Sequence, residues 1–235
     1  MQTYSQSVLL AVDLMVSADP DLIEIILLSL RVSLLAVLVS CLIGFPLGAL
    51  LAVSRFRGRQ LVLTGLNALM GLPPVVVGLI VYLHLSNAGP LGFLQLLYTP
   101  TAMIIAQTIL IAPIIAALSR QTLEDLHAEY REQFKSLSVP PLAAMAALIR
   151  DARYSLMTVA LAGFGRGIAE VGAVMIVGGN IDHLTRVMTT AIALETSKGD
   201  LPFALALGIV LLLLSLLVNG LVTSLKTGAE RHAFA

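Results

Sequence analysis

The most constraining feature of this sequence is a polar interval, residues 119–153, that separates two long apolar runs. Its sequence, SRQTLEDLHAEYREQFKSLSVPPLAAMAALIRDAR, concentrates charge in a chain that is 58% hydrophobic and only 12% charged. Soluble domains carry about 25% charged residues, so the composition predicts a polytopic membrane protein. The interval must then lie on one membrane face, and its composition predicts an ordered helical platform. We call residues 119–153 the ledge.

Apolar length and helix-start signals predict five membrane spans, because a helix needs about 20 residues to cross the hydrocarbon core. Capping side chains precede proline at Asp19-Pro20, Thr99-Pro100 and Asp200-Leu201-Pro202, where three of the spans begin. The predicted spans cover residues 21–54, 61–85, 100–118, 154–177 and 201–225. Residues 1–20 are expected to be an extracytoplasmic segment with a short interfacial helix, 21–226 the transmembrane domain, and 227–235 a cytoplasmic tail. Residues 178–200 are expected to form a loop.

Basic residues are distributed unequally between the two predicted faces, and the side that is richer in arginine and lysine is expected to be cytoplasmic. The other side holds only Arg186 and Lys198, with Arg31 near that interface and Arg166 inside a span. The richer side collects Arg55, Arg57, Arg59, Arg120, Arg131, Lys135, Arg150, Arg153, Lys226 and Arg231. The N-terminus is therefore expected outside, with the C-terminus and the ledge in the cytoplasm of a prokaryotic cell.

The residue types exclude several functions. No lysine follows glycine in a phosphate-binding loop, and neither the G-x-S-x-G nor the H-E-x-x-H pattern occurs. The four histidines are scattered without metal-site spacing, and the net charge of zero does not favour nucleic acid. The single Cys41 cannot form an intramolecular disulfide. We therefore expect no catalytic residue, no metal site and no nucleotide bound by this chain.

Two places within the spans are candidates for a functional role. Pro73 and Pro74 remove two backbone donors from the second span, which indicates either a simple kink or a segment that lines a cavity. Arg166 and Glu170 are spaced i, i+4 in the fourth span, so a continuous helix would pair them on one face. They are interpreted either as a structural clamp or as a transient partner for a passing anion.

Several motifs resemble the permeases of binding-protein-dependent ABC importers. The family pattern in the loop is Glu-Ala-Ala, three residues, Gly, nine residues, Ile-x-Leu-Pro. Glu132-Gln133-Phe134 matches its acid, Ser138 replaces its glycine, Leu148 matches its isoleucine, and Arg150-Asp151 replaces Leu-Pro. Three further segments are similar to molybdate and tungstate permeases, and the last looks most like the tungstate type: GLPPVVVGL (71–79), ALAGFGRGIAEVGAVMIVGGN (160–180) and RVMTTAIALETSKGDLPFALALG (186–208).

This resemblance implies a type I ABC importer permease fold with a cytoplasmic coupling loop at 119–153. It implies a second copy of the chain, a pair of cytoplasmic ATPases that hold ATP and magnesium, an extracytoplasmic oxyanion-binding protein, and surrounding lipid. The substrate implied is tungstate, then molybdate. The turn at 138–141 is expected to stiffen the ledge. The residues implied in ATPase coupling are Glu129, Glu132, Gln133, Phe134, Leu137, Ser138 and Pro140, and those implied in the path are Pro73, Pro74, Arg166 and Glu170.

Other functions remain open at this stage. The chain could serve another small anion such as sulfate, or act as a secondary transporter. The latter usually shows an internal repeat with matching broken helices, which the sequence lacks. A membrane enzyme and a scaffold are weaker alternatives, since few polar residues converge within the spans and a scaffold needs no ledge. Copurification with an ATPase separates the importer from the transporter.

Overall fold

The structure is a computed structural model that describes the backbone of residues 4–233 and the side chains of residues 7–218, 220, 221 and 224. Within these residues every regular element is helical, as the composition predicts. One short 3₁₀ turn, Gly92–Leu94, lies between the fourth and fifth α-helices. The α-helices are α1 Tyr4–Val16, α2 Pro20–Val53, α3 Arg59–Met70, α4 Pro74–Leu85, α5 Pro100–Ser136, α6 Pro141–Asp151, α7 Arg153–Ile168, α8 Gly172–Gly178, α9 Met188–Lys198 and α10 Leu201–Ala233.

The predicted capping residues start their helices. Asp19 Oδ1 accepts hydrogen bonds from two N–H groups in the first turn of α2, both at 3.1 Å. Thr99 Oγ1 accepts one at 3.5 Å in α5, and Asp200 Oδ1 accepts one at 3.3 Å in α10. Each side chain satisfies N–H groups that lack an intrahelical acceptor, so these three helix starts are confirmed.

In the described part of the chain, three helices are long and apolar enough to cross a bilayer: α2, α5 and residues 201–218 of α10. The count rises to five if each of two bent pairs, α3 with α4 and α7 with α8, forms one span. Large apolar side chains stay exposed along these helices, and Leu42 and Leu216 are each 68% exposed. Such surfaces indicate contact with lipid, because a soluble protein rarely exposes so much apolar area.

The ledge is helical, as its composition predicts, but its first part is not separate from the apolar run before it. Helix α5 continues without interruption from its apolar half to Ser136, so its 37 residues extend about 55 Å. The hydrocarbon core is only about 30 Å thick, so the polar half from Ser119 onward extends beyond it. The first part of the ledge is thus a rigid extension of a span, and only α6 is a separate short helix.

The structure bears on three further predicted elements. The fourth span is not continuous, because α7 ends at Ile168 and α8 begins at Gly172. Glycines are frequent in this stretch and are poor helix formers, which favours a break. The predicted loop at 178–200 contains a helix, α9. The predicted tail at 227–235 continues α10 to Ala233; its side chains and residues 234 and 235 lie outside the described part of the chain.

The helices form two compact units. Unit 1 comprises Met1–Leu35, Pro73–Gln107 and Gly167–Val218. Gly78 allows α4 to approach α8 closely, since a Cβ there would lie 2.8 Å from the Cα of Ala173. The N–H of Met188, the first residue of α9, donates to Ser29 Oγ of α2 at 2.8 Å. Unit 1 is therefore held by close backbone approach and by a hydrogen bond to a buried hydroxyl group.

Unit 2 comprises Ala36–Leu72, Thr108–Arg166 and Asn219–Ala235. Gly44 and Gly48 bring α2 against α5, and a Cβ on Gly44 would lie 2.7 Å from Ile115 Cγ2. A Cβ on Gly48 would collide with Ser119 Oγ, which donates to Ile115 O at 2.6 Å. These two glycines therefore allow α2 and α5 to pack closely within unit 2.

Enlarging Gly78 should weaken unit 1. The Gly78→Val variant places side-chain atoms against the backbone of α8, and we expect a loss of about 1–3 kcal/mol in the free energy of unfolding. Gly65→Ala in α3 is the control, because nothing lies within 4 Å of its Cβ position. Thermal unfolding of the full chain in detergent measures both. Equal melting temperatures for the two variants would contradict the close approach of α4 and α8.

Candidate functional sites

The ledge is fixed to the rest of unit 2 by an apolar cluster. Leu123 of α5 and Leu148 of α6 are fully buried, together with Ala49 and Ala52 near the end of α2. Phe134 packs partly buried against the same cluster, so its side chain faces inward. The ledge is therefore continuous with the packed interior of unit 2 and is not a loose tether.

Hydrogen bonds and ion pairs add directional restraints to this packing. Tyr130 Oη donates to Asp151 Oδ2 at 2.6 Å and joins α5 to the end of α6. This bond raises the pKa of Tyr130 above its ordinary value. Glu124 accepts from Arg59 at 2.8 Å and from Arg120, and the Arg59 guanidinium also donates to the Leu51 carbonyl near the end of α2. The Arg59 side chain of α3 thus links α2 and α5 within unit 2.

The turn at the tip of the ledge presents apolar side chains to the surroundings. Leu137 is 74% exposed and Leu142 is 77% exposed, on either side of the turn. Ser138 has φ +50°, and the N–H of Val139 donates to the Phe134 carbonyl at 2.9 Å. A positive φ favours glycine, which gives a physical reason for the glycine that the family pattern has where this chain has Ser138.

The structure separates the residues predicted for coupling into two groups. The exposed group comprises Glu129, Glu132, Gln133, Leu137, Ser138 and Pro140, and Phe134 alone is turned toward the interior. Pro140 and Pro141 start α6, with Pro141 as the first helical residue. Sequence reasoning missed Leu142 and the Tyr130–Asp151 bond. The periodicity of α6 could have indicated Leu142, because the residues toward the core are Ala144 and Leu148.

The second span is broken at the predicted prolines. Pro73 lies before α4 and Pro74 is its first residue, so the missing N–H groups fall where a helix needs no intrahelical acceptor. The Pro73 carbonyl accepts from the N–H groups of Val76 and Val77, at 3.0 and 3.2 Å. The prolines therefore start a new helix, so the second span is interrupted here and not simply kinked.

At the break in the fourth span, the free backbone groups form hydrogen bonds with side chains of unit 1. Glu170 is only 4% exposed, and its Oε1 accepts from the Ala173 N–H at 3.1 Å. Its carbonyl accepts from Thr189 Oγ1 at 2.8 Å, while Gln107 Nε2 donates to the Gly167 carbonyl at 3.0 Å. Irregular backbone at membrane depth requires such partners, because lipid supplies none.

The assumption of helical i, i+4 spacing for Arg166 and Glu170 is wrong. Arg166 lies half-buried in the last turn of α7, where a cation suits the helix dipole, whereas Glu170 lies in the non-helical break. Gln107 and Thr189 are the polar residues at this break that the sequence analysis did not identify. Neither has a local signal, since the carbonyls that they bond are 60 and 19 residues away.

An acidic cavity of about 190 Å³ lies within unit 1. Asp21, Glu24 and Asp200 line it, and the ion-paired acids Asp182 and Glu195 contribute as well. His183 Nδ1 contacts Glu24 Oε2 at 2.9 Å, which joins the 179–187 segment to the start of α2. The bond to Glu24, with further attraction from Glu24 and Asp182, raises the pKa of His183.

With this geometry in place, comparison with known proteins identifies the class. The profile of the family described as binding-protein-dependent transport system inner membrane component matches residues 44–230. The match covers most of the chain, so the chain belongs to this family, and its fold is that of a type I ABC permease.

Three curated relatives match nearly the whole chain. The tungstate uptake system permease protein TupB of Peptoclostridium acidaminophilum is 44% identical over 92% of this chain and 95% of the relative. TupB of Campylobacter jejuni is 38% identical over 92% and 90%. A probable anion ABC transporter permease protein of Haloferax volcanii is 40% identical over 85% and 88%.

Replacing Ser138 by glycine should stabilise the ledge turn. An L-residue in the left-handed region costs about 1 kcal/mol, and Ser138→Gly removes part of that cost. Ser136→Gly is the matched control, because Ser136 is the last residue of α5 and a helical glycine is destabilising. Thermal unfolding of the full chain should move the melting temperature in opposite directions for the two variants. A loss of stability in Ser138→Gly would contradict the observed backbone conformation.

The His183–Glu24 contact should stabilise the chain only on the acidic side. A raised folded-state pKa means that the contribution is complete below the unfolded pKa of about 6.5 and is lost as the pH rises through the folded value. The melting temperature of the wild type minus that of His183→Gln should therefore fall between pH 5 and pH 8, in a single step that follows the titration of one histidine. Glu24→Gln should flatten the same profile. A difference that is constant with pH would contradict the pairing.

Proposed function

We propose that this chain is the membrane-spanning subunit of an ABC importer for an oxyanion, tungstate first and molybdate next. The observation that carries the substrate is the 44% identity to a tungstate uptake permease over 92% of the chain. A second tungstate uptake permease, at 38% identity, supports the same choice. Sulfate and other small anions are the alternatives within this class.

The ledge is the proposed docking element for a cytoplasmic ATPase. It projects beyond the predicted bilayer, is anchored by buried Leu123 and Leu148, and exposes Leu137 and Leu142 at its tip. An exposed pair of leucines on a rigid polar support resembles the apolar centre of a protein interface with a polar rim. Because α5 is continuous from its apolar half into the ledge, movement of the docked ATPase reaches the membrane helices as a rigid-body displacement.

The breaks at Pro73 and Glu170 are the proposed places where the helices adjust during transport. A transported anion needs a path without a deep energy well, since tight binding midway would prevent release. Buried Glu170 already serves the Ala173 N–H, which favours a structural role for its carboxylate. Arg166 is the basic side chain that we propose for transient contact with the anion.

The remaining partners follow from the class. We propose a homodimer of this chain, two ATPase subunits that hold ATP and magnesium, and an extracytoplasmic binding protein that delivers the anion. The chain lies in the cytoplasmic membrane of a prokaryote with its N-terminus outside, an orientation supported by the arginine and lysine distribution.

Elemental uptake tests the proposed substrate. Cells with and without this chain, with partner subunits present, receive trace tungstate, molybdate and sulfate, and accumulated W, Mo and S are counted. We expect loss of W accumulation with sulfur nearly unchanged. Equal loss of W and Mo would broaden the substrate to both oxyanions. Loss of sulfur alone, or no loss of any element, would contradict the proposal.

Softening the ledge turn tests the proposed coupling. Replacing Pro140 and Pro141 with glycine should leave copurification with the ATPase intact, but lower anion uptake per ATP hydrolysed severalfold, because the turn no longer transmits a displacement rigidly. Pro90→Gly in the loop between α4 and α5 is the control, and it should leave this ratio unchanged. Unchanged uptake per ATP in the double variant would contradict the role of the ledge.

A further inference from the structure

A basic cavity of about 450 Å³ lies beside the ledge within unit 2. It is enclosed by the turn that follows α2, the start of α3, and the polar half of α5. Its charged lining consists of three arginines and one carboxylate, so the cavity is positive at every pH at which Glu124 is ionised. The lining residues used below are Arg55, Phe56, Arg59, Glu124, His127 and Arg131.

The single carboxylate does not neutralise the cavity. Both oxygens of Glu124 are already engaged, one by Arg59 at 2.8 Å and the other by Arg120. Arg55 and Arg131 form no ion pair with any side chain in the described part of the chain, and both are exposed to the opening. Two guanidinium groups, each with several donors, therefore face the same space without an anionic partner.

His127 supplies a second, independent observation. Its Nδ1 is buried and has no hydrogen-bond partner among the described residues, although buried polar atoms are normally paired. Burial lowers the pKa of His127 first, and Arg55 and Arg131 lower it further, while Glu124 opposes them. An anion in the cavity would offset the repulsion between these cations, and His127 also lines that space.

We propose that this cavity binds a tetrahedral oxyanion group, held by Arg55, Arg131 and His127. Arginine donors match the geometry of tetrahedral oxyanions, and charge-assisted bonds of this kind are about twice as strong as neutral ones. Two sources share this chemistry. One is the phosphate of an anionic phospholipid, because Phe56 is 46% exposed in the lining and the cavity lies where α2 ends its apolar run. The other is a free inorganic oxyanion. The site is independent of the substrate proposed above.

The test uses the full chain with two matched pairs of substitutions. Arg55→Gln with Arg131→Gln removes the cavity guanidiniums. Arg57→Gln with Arg150→Gln removes the same charge from exposed positions that do not line the cavity. Melting temperatures of both pairs establish folding. The amount of phosphatidylglycerol that the chain retains is then measured in nanodiscs and compared with the amount of phosphatidylcholine that it retains. Binding of [35S]sulfate is measured in lipid-free detergent.

Each outcome decides the proposal. Loss of phosphatidylglycerol retention, about tenfold or more, in the cavity pair alone assigns a lipid headgroup. The same loss of sulfate affinity in the cavity pair alone assigns a free oxyanion. If the two pairs lose binding equally, or if neither ligand binds the wild type, the basic face is merely a diffuse positive surface and the proposal is overturned.

His127 gives a separate signature. Sulfate keeps its charge between about pH 6 and pH 8, so any pH dependence of its binding in this range reports on the protein. The charged groups around His127 are Arg55, Arg59, Glu124 and Arg131. An anion bound among them favours the protonated form of His127. The wild type should therefore bind that anion severalfold more tightly as the pH falls. With sulfate as the probe, or with phosphatidylglycerol if only lipid binds, His127→Gln should abolish this tightening. Equal affinity of the variant and the wild type at both pH values would contradict the site.

Discussion

The packing of Leu123 against Leu148 is the interaction on which the ledge depends. Both side chains are fully buried, and around them the end of α2, the polar half of α5 and α6 form one cluster. Without this cluster α6 would be a short helix held only by a turn, and isolated helices of its 11 residues are marginal in water. The Glu124 ion pairs are partly exposed and add direction more than free energy. Apolar burial therefore makes the tip of the ledge rigid, and it fixes the positions of the exposed Leu137 and Leu142.

A second constraint acts inside the predicted spans, where backbone groups must find partners within the protein. The prolines at 73 and 74 meet this constraint locally, because they occupy helix-start positions that need no intrahelical acceptor. The break after Ile168 meets it through Glu170, Gln107 and Thr189, which bond the exposed backbone. One break is thus encoded in adjacent residues, and the other is encoded by side chains brought together by the fold. Both leave short helices that can change their relation to neighbours without breaking a long continuous one.

This difference explains how much the sequence could predict. Helix starts at Asp19, Thr99 and Asp200 depend on neighbouring residues, and the span count depends on apolar length, so both were accessible. The ledge was accessible from its polarity, and the family motifs indicated the class of protein. The inward side of Phe134 and the bonds from Gln107 and Thr189 to the break depend on tertiary packing and were not. The basic cavity was also inaccessible, since Arg55 and Arg131 belong to segments far apart in the chain.

Site-directed cross-linking most directly tests the central claim, that the tip of the ledge docks on the ATPase. Cys41 is the only cysteine, so a Cys41→Ser chain provides a background for a single new thiol at either of two equally exposed apolar positions. Leu142 and Phe93 are both 77% exposed, the first on the ledge and the second in the loop between α4 and α5. With benzophenone maleimide, which alkylates the new thiol and on illumination inserts into neighbouring C–H bonds, the account predicts a cross-link to the copurified ATPase from Leu142→Cys and none from Phe93→Cys. A cross-link from Phe93→Cys alone would contradict it.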